Sequence, residues 1–213
     1  MAVITISRQF GAGGYTLGKR VAERLGYRLI QKELITEIAE KARVSPGGIK
    51  GFEKSTGSRI MKIVDSLISK NYITKLLEGR HGYVDETQYT DILREIVEEL
   101  YQEGNVVIIG RGAQFVLRGR EDVVHVLLVR DVAGREKFLM DLYGVTRERA
   151  RATIKSEDLQ RCRVLETFCK GDCDDPIHYD LVINTGYVSM ATAEELLLTL
   201  VRPREAQALG ATG

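Results

Sequence analysis

The chain has almost no net charge, no long apolar run and few cysteines, and each shortage removes a class of function. Its 31 basic and 30 acidic side chains leave a formal net charge of +1 over 213 residues. No global field therefore draws it to nucleic acid or to an acidic membrane, and any basic site must be local. No apolar run approaches the ~20 residues that span a bilayer. Met1 to Ile6 carries neither the basic start nor the cleavage region of a secretory signal. A cytoplasmic protein with no nucleic-acid or membrane partner is the expectation. The cysteines, Cys162, Cys169 and Cys173, are odd in number and clustered late, which argues against a disulfide framework. With His178 they number four possible zinc ligands, but the spacing C-x6-C-x3-C-x4-H fits none of the usual finger patterns, so free thiols are expected.

What remains is the composition of an ordinary soluble protein, 44% hydrophobic and 29% charged. The length suffices for one substantial core, or one domain with an inserted subdomain. The most informative stretch is VITISRQFGAGGYTLGKRVAERL at residues 3 to 25. Val3, Ile4 and Ile6 read as a buried strand. Gly11, Gly13 and Gly14 supply turns where φ can be positive and no side chain blocks a ligand. From Thr16 the spacing of Leu17, Val21, Ala22 and Leu25 is that of one helix face. Backbone N–H groups of such a loop and of the helix start converge on one point and favour an anion there, phosphate above all. Gly11, Ala12, Gly13, Gly14, Tyr15 and Thr16 are the candidate phosphate-binding residues, with the Thr16 hydroxyl toward Mg²⁺. A full G-x-x-x-x-G-K-[ST] loop would carry a lysine. Aligned on Thr16 as in the G-K-G-T variant, the lysine position falls on Gly14 and the first glycine on Arg8. Arg8 and Lys19 are the nearest replacements for that charge.

Further along, Tyr27 to Ile30 reads as a short strand, and Lys32 to Ala42 as a helix. Residues 45 to 89 read as a mostly helical insertion, punctuated by glycines and placed to act as a clamp over the loop. Helical spacing returns from Thr90 to Gln102. Strands are expected at Val106 to Ile109, Val123 to Val129 and Leu181 to Ile183, with helices near Ala133 to Tyr143 and Met190 to Val201. The segment from 203 to 213 reads as a disordered tail. Alternating strands and helices imply right-handed crossovers, a mostly parallel five-stranded sheet, and ligands outside the carboxyl ends of the strands.

Four runs in order, ITISRQFGAGG with Gly18, IIGRGAQFVL, IKSEDLQRCR and DPIHYDLVINT, resemble the cytidylate kinase-like branch of P-loop nucleoside monophosphate kinases over nearly the whole length. The resemblance implies an α/β P-loop NTPase three-layer fold over residues 1 to 202 and a lid over 150 to 178. It also implies ATP with Mg²⁺ as donor, and a nucleotide or small phosphorylated acceptor as partner. Arg111 is then placed to grip the acceptor phosphate, since Arg's planar fork suits that task. Lys155 and Asp158 are substrate-binding candidates, and Arg161 and Arg163, with Arg8, are the catalytic ones. Asp158 and Arg161 stand at i and i+3 and can pair on one helix face.

The chain departs from cytidylate kinases at Gly112, where they carry aspartate, and at Gln31, where they carry another acidic residue. Both groups help hold the acceptor nucleotide in those enzymes, so the acceptor stays open. Three readings follow: a nucleoside monophosphate kinase, a nucleotide-binding regulator that lost turnover with the lysine, or a P-loop kinase of another small metabolite.

Overall fold

Five apolar runs become the strands of one sheet in the computed structural model, which describes residues 2–31 and 86–210. They are β1 (Val3–Arg8), β2 (Arg28–Ile30), β3 (Val106–Ile109), β4 (Val123–Val129) and β5 (Leu181–Asn184). Every pairing is parallel, in the order β2-β3-β1-β4-β5. Ile6 of the central strand stands opposite Ile109 on one side and Val126 on the other. Val3 to Ser7 and all of β3 are buried, as strands covered on both faces must be. Because β1 has β3 on one side and β4 on the other, the chain leaves it in both directions, and the crevice outside its carboxyl end is where such sheets place a ligand.

The helices are α1 (Gly14–Leu25), α2 (Glu86–Glu103), α3 (Ala113–Val116), α4 (Val132–Tyr143), α5 (Arg147–Glu166) and α6 (Met190–Gly210). The chain divides into two compact units, residues 1–30 with 97–213 and residues 31–96; the first holds the sheet and the glycine loop. The helix expected over Lys32 to Ala42 and the insertion expected from 45 lie outside the described residues, apart from the start of α2. Among the described residues no helix is long and apolar enough to cross a membrane.

Helix α1 buries Leu17, Gly18, Val21 and Ala22. At Gly18 a Cβ would stand 2.8 Å from Ile109 Cδ1, so glycine lets the helix sit directly on the sheet. Glu194 of α6 is buried and accepts hydrogen bonds from Arg20 Nε at 2.7 Å and Arg24 Nη1 at 3.2 Å, tying α6 to α1. Helix α6 also runs well past Val201, through Pro203 to Gly210, where a tail without structure was expected. The physical reason lies next to the proline: the Arg204 guanidinium donates to Asp180 Oδ1 at 2.7 Å and to the Val123 carbonyl, and this tether offsets the helix bond that Pro203 cannot make.

Helices α4 and α5 form a hairpin. Asp131 caps the first and Thr146 the second. Buried Glu136 accepts from Arg151 Nε at 2.6 Å, and Leu139, Ala150 and Ile154 make an apolar seam that Phe10 and Phe138 join.

Candidate functional site

The loop between β1 and α1 begins with a turn, Ala12 N–H donating to Gln9 O at 3.1 Å, and ends on Gly13, whose φ of 88° is left-handed and suits glycine. That conformation starts α1 at Gly14, two residues before the apolar spacing begins. Gly13 has no side chain with which to cap the helix, so the first-turn N–H groups have no side-chain acceptor at the cap. Close approaches fix the loop on three sides. A Cβ at Gly13 would lie 2.7 Å from Met190 Cε, one at Gly14 would lie 2.8 Å from Arg8 Cγ, and one at Gly11 would lie 3.2 Å from Arg135 Cβ. Thr185, at the end of β5, donates its hydroxyl to the Ala12 carbonyl at 3.0 Å. Beside the loop opens a cavity of about 180 Å³, lined among others by Gly11, Gly13, Thr16, Arg130, Ser189 and Met190. Thr16 is exposed there, while Tyr15 is 52% exposed and outside the lining.

Arg8 explains the missing lysine sterically. Its stem covers Gly14, where a Cβ would lie 2.8 Å from Arg8 Cγ, and its guanidinium rests against Gly110 at the end of β3, so a side chain at 14 would have to displace the stem. Gly110, Arg111 and Gly112 then take three successive positive φ values, 79°, 58° and 70°. A non-glycine residue in that region is held there at a cost of roughly 1–2 kcal/mol, and Arg111 is buried in the strained turn. Gly112 is glycine for a visible reason: a Cβ would lie 2.5 Å from the Phe168 ring. An aspartate at 112 would displace that ring.

On α5, Asp158 and Arg161 share the inward face but do not pair with each other. Asp158 Oδ1 accepts from the backbone N–H of Phe10 at 2.9 Å, and Oδ2 accepts from Arg135 Nη1 at 2.6 Å. Arg161 donates to Ser7 Oγ at 3.0 Å and, with both terminal nitrogens, to Asp174. Burial works against its charge, and the hydrogen bonds and charge of Asp174 outweigh that, so its pKa is raised. Lys155 and Arg163 are exposed. Arg163 lies about 200° around the helix from Arg161, away from the loop.

Residues 3–187 match the cytidylate kinase-like family. The chain belongs to that family. No curated protein matches it. Among solved structures it is similar to an uncharacterized protein from Eubacterium ventriosum, with 20% identity, 95% of this chain and 99% of that one covered, and a TM-score of 0.67. A gluconokinase from Sinorhizobium meliloti shares 18% identity over 98% of this chain and 97% of its own, with a TM-score of 0.51. A shikimate kinase from Acinetobacter baumannii in complex with shikimate shares 16% identity over 95% of this chain and 94% of its own, with a TM-score of 0.50. At these identities the likeness is one of fold, and the fold is that of P-loop kinases.

Several residues of this cytidylate kinase-like chain carry the site without a signal in the sequence. Arg135 is one arginine among many on a helix; Ser7 and Phe10 stand inside the ITISRQFGAGG run, but nothing in that run marks them as the groups that α5 holds. Asp174 and Thr185 could have been noticed, since they sit in or beside the acidic loop and the DPIHYDLVINT run. The cysteines stand apart from the loop. Cys169 is buried with its sulfur 3.8 Å from His178 Nε2, while Cys162 is exposed. Burial and the neighbouring Cys169 push the Cys173 thiol up to about 12, which makes it a poor nucleophile. Among the described residues no cluster of three or more His, Cys, Asp or Glu side chains is arranged to hold a metal ion.

Proposed function

We propose that the protein transfers a phosphoryl group from ATP to a small phosphorylated acceptor in the cytoplasm, a nucleoside monophosphate being the first candidate. The observation that carries this reading is the glycine cradle at the carboxyl end of β1: an uncapped helix start and a positive-φ glycine open onto a cavity large enough for phosphates. Such transfer asks a protein for positioning and charge neutralisation more than for a nucleophile, which fits a site of backbone amides and arginines. The donor phosphates lie on the amides of Gly11 and of residues 13 to 16; Ala12, a candidate from the sequence, gives its N–H to the Gln9 carbonyl instead. Arg130, which lies along Gly134 and beside Gly186, offers a flat guanidinium at the cavity wall for the donor base. Mg²⁺ keeps several waters and takes few protein ligands when phosphates supply others, so the Thr16 hydroxyl at the cavity would be one ligand beside phosphate oxygens and waters, and the ion would neutralise charge on the phosphates. Arg8 supplies the fixed positive charge between loop and Gly110, and Arg111 faces the acceptor phosphate. Arg161 and Asp158 act from α5 by holding the end of β1 and the loop.

Loss of the lysine at Gly14 favours a second reading, a nucleotide-binding regulator. A coupled ADP-release assay with ATP, Mg²⁺ and a panel of nucleoside monophosphates, sugar phosphates, gluconate and shikimate separates the two. Acceptor-dependent ADP release supports the kinase. Tight ATP binding without turnover on any acceptor supports the regulator.

A further inference from the structure

Helix α5 touches the loop in a manner that suits neither an acceptor clamp nor a solvated charged face. Both polar groups of Phe10, the residue that opens the glycine run, are held from outside. Its N–H donates to Asp158 Oδ1 at 2.9 Å, and its carbonyl accepts from Arg135 Nη1 at 3.2 Å. The same Arg135 nitrogen donates to Asp158 Oδ2 at 2.6 Å, so carboxylate, guanidinium and one residue's backbone close a ring. The Phe10 side chain is fixed as well, in the apolar seam with Leu139, Ala150 and Ile154. In a trans peptide the N–H runs antiparallel to the preceding carbonyl, and there is no cis peptide bond among the described residues. Fixing the Phe10 carbonyl on Arg135 therefore fixes the direction of the Gly11 N–H. Gly11, with φ of 84°, would otherwise be the freest joint of the loop.

One turn along the same helix face, Arg161 holds Ser7 Oγ at 3.0 Å. Asp158 and Arg161 thus grip the chain on both sides of Arg8 and Gln9.

We propose that Asp158 and Arg135 are positioning residues for phosphate, a side-chain splint that pre-orients the Gly11 amide and, through it, the donor-phosphate cradle. The inference rests on the reading of this loop as a nucleotide-phosphate site. It assigns Asp158 to the donor side, where an acceptor role would leave ATP affinity untouched.

The test is calorimetric titration of the full chain with ATP and, separately, with adenosine, which lacks the phosphates. Asp158→Ala is expected to raise the ATP Kd by about 10- to 100-fold, the loss of a charge-assisted bond and of amide pre-orientation, and to leave adenosine binding unchanged. Asp158→Asn keeps an oxygen that can accept from Phe10 but loses the charge facing Arg135, so its ATP Kd should fall between. Should Asp158→Ala not fold, Asp158→Asn carries the comparison alone, expected at about 3- to 10-fold. Unchanged ATP affinity in a folded variant would overturn the inference, as would an equal loss for ATP and adenosine, or a rise confined to the acceptor KM. Wild-type protein that bound no ATP would instead overturn the reading of the loop and the inference with it.

Discussion

The two walls that meet at Phe10 are built on opposite principles. The loop from Gln9 to Gly13 offers backbone: its shape comes from glycines in left-handed conformations and from neighbours packed too close for an unshifted Cβ. The inward face of α5 offers side chains that are already committed, Asp158 to Phe10 and Arg135, and Arg161 to Ser7 and Asp174. The difference teaches that a charged residue near a phosphate site need not touch phosphate. Here the arginine aimed between the loop and the end of β3 is Arg8, while the residues of the expected lid brace the loop from behind.

The largest effect is expected on the backbone wall. Gly13→Val forces a β-branched residue to φ near 88° and its Cβ into Met190, a strain of about 1–3 kcal/mol before any ligand arrives. ATP binding measured by titration should vanish while the far-ultraviolet circular dichroism stays native. Binding that survived in the folded variant would erase the contrast between the walls.

A smaller effect sharpens the contrast on the other side. Arg161→Ala leaves the partly buried Asp174 carboxylate without its two donors and should lower stability by about 2 kcal/mol in urea unfolding. Arg163→Ala, exposed and pointing away, should stay within about 0.5 kcal/mol of wild type. Equal losses would mean that the two faces of α5 are not different in kind.

The smallest effect lies away from both walls. His125 in β4 bonds Thr5 Oγ1 at 2.7 Å, and burial, above all, lowers its pKa from the ordinary 6.5. With its folded pKa depressed, the unfolded chain takes up more protons below about pH 6.5, so stability is full above that value and declines as pH falls toward the folded pKa. Urea midpoints at about pH 7.5 and pH 5.5 should show this decline, and His125→Gln should reduce it. An identical slope in the variant would assign the titration to other groups.

The strands, the glycine cradle and the family could be read from the chain because they depend on short-range pattern: apolar runs, glycine spacing, the change of period at Thr16. The end of α6 could not, since Pro203 and the small residues after it give a local signal for a stop, and the tether from Arg204 to Asp180 and Val123 is tertiary. The role of Asp158 was hidden by its neighbourhood in sequence. An i, i+3 arginine offers a local partner, whereas the backbone group it binds is 148 residues away. Gly112 could be seen only as a departure from its relatives; the Phe168 ring that requires glycine there becomes visible only in three dimensions.

Arg8 packs its stem where the side chain of a lysine at position 14 would begin, and under the proposed function it supplies the charge that such a lysine carries in other phosphate loops. A double-mutant cycle on Arg8→Ala and Gly14→Lys, read as kcat for ATP-dependent transfer or as ATP Kd if turnover is absent, tests it most directly. Arg8→Ala removes a preorganised donor and should cost about 10²-fold in kcat. Gly14→Lys alone should also be impaired, because its Cβ meets the Arg8 stem at 2.8 Å. The double variant, with the stem gone and the charge restored, is expected to exceed both single variants. Losses that simply multiply would contradict it.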